Sequence, residues 1–117
     1  MKRILIAIAT ILCCVLMASC TKEQPTVTYS MGFGQVDIYN ESKMSSELSQ
    51  VENTFKSAIQ TELGVSVSNS MFNYNGGDAK VKGACDKAAQ SLSQIPFTNK
   101  FTYMVYNGSI IVYSWNN

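Results

Sequence analysis

FTYMVYNGSIIVYSWNN, residues 101–117, is the stretch whose reading decides the fold. Asn107-Gly108 lies between two runs of aromatic and β-branched residues, and this dipeptide suits a type I′ turn because both of its residues tolerate positive φ. A hairpin turned there puts Phe101, Tyr103 and Val105 on one face with Ile110 and Val112. Met104, Tyr106, Ile111, Tyr113 and Trp115 then share the other face. The first face is the expected core side. The second is a candidate binding surface, because Tyr and Trp join an apolar body to a polar handle. The plainer alternative is that these residues pack under the N-terminal strand or line a wet sheet face.

Upstream, the hydrophobic period changes from two to about 3.6 and back. Val27, Tyr29, Met31 and Phe33 alternate, and after Gly34 the phase slips so that Val36 and Ile38 continue the pattern. A glycine at a phase slip marks a bulge, so the segment reads as one bent strand or two short ones. Between residues 43 and 63, Met44, Leu48, Val51, Phe55, Ile59 and Leu63 recur at steps of four and three, the stripe of an amphipathic helix. Ser45 or a neighbouring serine can cap its start, Glu47 suits its positive first turn, and Gly64 fits the residue past its end. Val65 to Tyr74 reads as a strand. Asp78 opens a second helix reaching about Gln94, with Val81, Cys85, Ala88, Leu92 and Ile95 inward and Pro96 as the stop. The expected fold is therefore α+β, in the order β-α-β-α-β-β. Its sheet is mainly antiparallel, two helices pack on one face, and a β-hairpin closes the chain.

The N-terminus is of another kind. Lys2-Arg3 precede an apolar run from Ile4 to Met17, and Ala18-Ser19 lead to Cys20. That run is shorter than the roughly 20 apolar residues a spanning helix needs. The pattern resembles a bacterial lipoprotein signal peptide. The resemblance implies cleavage between Ser19 and Cys20, lipidation of Cys20, and a membrane partner reached through that lipid. It covers residues 1–20, with 1–19 as the signal; the polar stretch that follows reads as a tether, so that 20–26 is lipidated cysteine and tether and 27–117 a single domain. Thr21 stands where inner-membrane retention calls for aspartate, so outer membrane is expected over inner.

Processing reshapes the composition. Loss of Lys2 and Arg3 reduces nine basic residues to seven lysines against eight acids, a formal charge of −1, and no arginine or histidine remains. Nucleic acid is excluded as a partner, because phosphate neutralisation needs clustered Lys or Arg. Of four cysteines, Cys13 and Cys14 leave with the signal and Cys20 takes lipid, so Cys85 has no partner for a disulfide. With no histidine to act as base, and a place on an apolar stripe, Cys85 reads as core rather than nucleophile. The acids lie on solvated faces and form no pair across a cleft. No metal and no cofactor are expected, and Asn75-Gly76-Gly77-Asp78 reads as a helix cap. These readings point to a non-catalytic envelope lipoprotein, a protein-binding or self-associating module. The alternatives are a glycan- or peptide-binding module, and an inhibitor or immunity-type lipoprotein using the loop from Asn73 to Asp78.

Overall fold

The computed structural model describes residues 25–117. The signal-peptide, cleavage and lipidation assignments, with Ser19 and Cys20, lie outside the described residues.

Six elements follow one another as β1 (Val27–Asp37), α1 (Glu41–Leu63), β2 (Met71–Tyr74), α2 (Asp78–Leu92), β3 (Lys100–Asn107) and β4 (Ile110–Asn116). The strands form one sheet in the order β2-β1-β3-β4, and every neighbouring pair is antiparallel. This is the expected α+β architecture with its C-terminal hairpin.

Each helix buries the stripe its spacing dictates. Val51, Phe55 and Ile59 of α1, and Val81, Ala84, Cys85, Ala88 and Leu92 of α2, face the sheet side chains Tyr29, Met31, Phe72, Phe101, Tyr103 and Val105. Phe55 is central: its ring centroid lies 4.8 Å from Tyr103 and 6.1 Å from Trp115. Tyr29 stacks on Phe72 at 5.0 Å. The start of α1 departs from expectation: Asn40, rather than a serine near 45, occupies its N-cap. α2 opens at Asp78 as expected, with Gly77 at its N-cap, and neither cap residue makes a side-chain cap bond. Gly64 ends α1 in the left-handed conformation, as expected.

β1 is one continuous strand, with a register shift between Phe33 and Val36 against β3. The phase slip at Gly34 is therefore a bulge inside a paired strand. The stretch from Val65 departs more. Only Met71–Tyr74 is strand, and Asn69 (φ 53°) and Ser70 (φ 58°) form a tight turn closed by hydrogen bonds between Ser68 and Met71. Positive φ at both central positions is the I′ pattern expected at Asn107-Gly108. The C-terminal hairpin instead turns on Gly108-Ser109, with Asn107 paired to Ile110 and positive φ at Gly108 alone. That is the II′ arrangement, which calls for glycine at the first central position.

Candidate functional site: the uncovered sheet face

The turn is not what decides which side chains share a face. Near the turn, Tyr106 pairs with Ile111, but from Val105 onward the partners are Tyr113, Ser114 and Trp115, with a register shift in between. Val112 is the extra residue of a β-bulge in β4, and one inserted residue moves everything beyond it to the opposite side. Tyr113 and Trp115 consequently sit opposite Val105 and Tyr103 on the helix-covered face.

The expected surface of Met104, Tyr106, Ile111, Tyr113 and Trp115 is thus divided. Trp115 is only 9% exposed and meets Phe97 and Phe55 edge-on. Tyr113 is half-buried near Phe55 and donates its hydroxyl to Asp86 at 3.1 Å. Burial, then that bond and the carboxylate charge, push the Tyr113 hydroxyl up to about 12. Ile110, expected inside, is 67% exposed, while Val112 is buried as expected.

Met104, Tyr106 and Ile111 do lie on the uncovered face. Cross-strand pairing aligns Met71, Ser30, Tyr106 and Ile111 in one row over all four strands, with Gly32, Met104 and Ser114 in the next. Met104 lies across Gly34, where a Cβ would collide with the methionine methyl, and its sulfur accepts the Tyr106 hydroxyl at 3.6 Å. Met71 and Ile111 are exposed. Met71, missed by sequence reasoning, sits on the strand whose limits were misread. The face ends at β4, an edge strand whose sequence IIVYSWN holds no charge and no proline. Edge strands without such guards are open to pairing with another chain.

Other constellations resolve into structural roles. Cys85 is fully buried, and desolvation, with the Asp86 charge second, pushes its thiol up to about 12, the reverse of activation. Asp78 accepts the Tyr29 hydroxyl at 2.6 Å and Asn107 Nδ2 at 3.3 Å, joining α2 to the sheet end. A cleft of about 230 Å³ is lined by Glu52, Asn53, Lys56, Asn69 and Ser70. In it Ser70 Oγ donates to Glu52 at 3.0 Å, and Ser70 O accepts from Met31 N–H. Those bonds hold the strained turn to α1 and β1. Among the described residues no His, Cys, Asp or Glu cluster is arranged to hold a metal, and no helix is long and apolar enough to cross a membrane.

Glu47, expected in the first turn and on a solvated face, is neither: α1 begins earlier, at Glu41, which places Glu47 in its second turn and on its buried side. It is buried beside Asn99, and its carboxylate accepts four bonds, from the backbone and side chain of Thr98 and of Asn99. Asn99 Oδ1 accepts from the backbone of Tyr39 and Asn40, and Asn117 joins Phe101 N–H to the Asn99 carbonyl. The knot ties both loops at that end of the sheet and the C-terminus together. The available signal was spacing: Glu47, Val51, Phe55 and Ile59 form one i+4 row.

One core polar group stands apart. The Tyr103 hydroxyl is buried and finds no hydrogen-bond partner among the described residues, and burial, then the charge of Glu52, push its pKa up. Tyr103→Phe is therefore expected to raise stability by about 1 kcal/mol, since removing an unsatisfied buried hydroxyl relieves its desolvation cost. Thermal unfolding of the two proteins checks this.

The described residues thus form an α+β fold in which helices cover one face of a four-stranded antiparallel sheet and leave the other open. Comparison with protein-family models, curated proteins and solved structures finds no match.

Proposed function

We propose that the protein is a non-catalytic, lipid-anchored envelope module that binds protein through its uncovered sheet face, the partner including a second copy of itself. The observation that carries this reading is the row of Met71, Tyr106 and Ile111, flanked by Met104, beside the unguarded β4 edge. Clustered apolar and aromatic side chains on an open face mark interaction sites, and strand addition at an open edge supplies main-chain bonds to a partner. The anchor part rests on the Cys20 motif. Buried Cys85 and the absence of histidine support the non-catalytic part.

The test uses the full chain in its membrane, with a photocrosslinking residue at Tyr106 and a control at Lys43 on α1. A defined adduct is expected at 106 and not at 43, and Met104→Asp should abolish it without changing circular dichroism. Equal adducts at both positions, or an adduct that survives Met104→Asp, would overturn the reading.

A further inference from the structure

The antiparallel order places particular groups at each end of the sheet. β1 begins where β2 and β3 finish: Val27 pairs with Tyr74, and Tyr29 pairs with Asn107. The β3–β4 turn, the loop after β2 and the first turn of α2 therefore share the end from which the chain runs back toward Cys20. At this end the hairpin tip carries isoleucine on both sides. Ile110, paired with Asn107, is 67% exposed, and Ile111, paired with Tyr106 on the open face, is 54% exposed. Six residues lie between Cys20 and Val27, and the steps that join them reach at most about 25 Å.

We propose that this tip is a second membrane contact: Ile110 and Ile111 enter the boundary between headgroups and acyl chains of the bilayer that holds the Cys20 lipid. The inference rests on the lipid anchor of the preceding section and goes beyond it by assigning an orientation. The short tether leaves the tip within reach of the surface. Charge agrees. Asp78, the acid at this end, is engaged by Tyr29 and Asn107, while Lys80 and Lys82 in the first turns of α2 are exposed. Lysines near an interface favour anionic lipid. The opposite end also exposes apolar residues, Ile38 and Tyr39, but β1 holds them about 33 Å away by its strand rise. The domain thus stands on its hairpin with the open sheet face turned sideways.

The lipidated full chain is placed in phosphatidylethanolamine–phosphatidylglycerol vesicles with an environment-sensitive fluorophore on Ile110→Cys or, as control, Ile38→Cys; Cys85 is buried and does not compete. The expected result is a blue shift at position 110, quenched by a lipid bearing a nitroxide on its acyl chain, with neither effect at 38. If the protein floats with the vesicles but the two labels behave alike, the docking proposal is overturned and the anchor stands. A shift at 110 that grows with protein concentration and ignores the nitroxide assigns the tip to a second copy, and also overturns it. If wild type and Cys20→Ala both fail to float, the anchor reading fails and the docking proposal falls with it.

Discussion

Trp115→Ala is expected to lower the unfolding free energy by about 3–5 kcal/mol, the usual cost of truncating a core aromatic. Tyr106→Ala, in the neighbouring strand, is expected to cost about 1 kcal/mol or less. Composition gives no reason for the contrast, since both are aromatic residues of one hairpin. Trp115 lies opposite Tyr103, with its ring centroid 6.1 Å from Phe97 and 6.1 Å from Phe55 at steep interplanar angles. Such edge contacts add about 0.5–1.5 kcal/mol each to simple burial, and truncation leaves a hole between α1 and the sheet. Tyr106 pairs with Ser30 and with the exposed Ile111 on the open face and makes a weak bond to sulfur. Denaturant unfolding of both variants reads the difference directly. Equal costs would mean that Val112 does not act as the bulge residue and that Trp115 faces outward.

That comparison also locates what the sequence could reveal. The helices were legible because period-3.6 stripes are long and redundant, so that losing Ile95 to the following loop or adding Ala84 to the buried face changes nothing. The bulge in β1 was legible because glycine sits at a visible phase slip. The bulge in β4 was not. Ile110, Ile111, Val112 and Tyr113 are four consecutive apolar residues, and a run without polar members has no phase from which a slip can be read. The candidate surface was therefore assembled across a hidden break: Met104, Tyr106 and Ile111 lie before it, Tyr113 and Trp115 beyond it. The Asn69-Ser70 turn escaped for a related reason. Val65 and Val67 alternating with Ser66 and Ser68 before it imitate a strand, and the long-range bonds from Met31 and to Glu52 that hold the turn are tertiary.

Glu47 offers the other large effect. Glu47→Gln is expected to destabilise the domain by about 2–4 kcal/mol at neutral pH, combining a lost charge-assisted network with an orphaned buried donor. Oε1 accepts Asn99 N–H at 3.1 Å and Asn99 Nδ2 at 2.9 Å, while Oε2 accepts Thr98 N–H at 2.9 Å and Thr98 Oγ1 at 3.0 Å. An amide keeps one acceptor oxygen. Its NH₂ group faces the Thr98 side at least loss, because the Thr98 hydroxyl can turn to accept, but the Thr98 N–H then points at a donor. The pH dependence separates this account from a purely steric one. Burial taken alone raises the Glu47 pKa, yet the four bonds outweigh it and hold the folded value below the ordinary 4.5. A carboxyl depressed on folding contributes stability that is fully present above its unfolded pKa and is lost as pH falls through the folded one. The gap between wild type and Glu47→Gln should therefore narrow as pH is lowered through that window, because the variant has no such carboxyl to protonate. Denaturation midpoints measured at neutral pH and at steps below it test the point: a gap that stays constant into acid would show that the ionised carboxylate is not what binds these loops together.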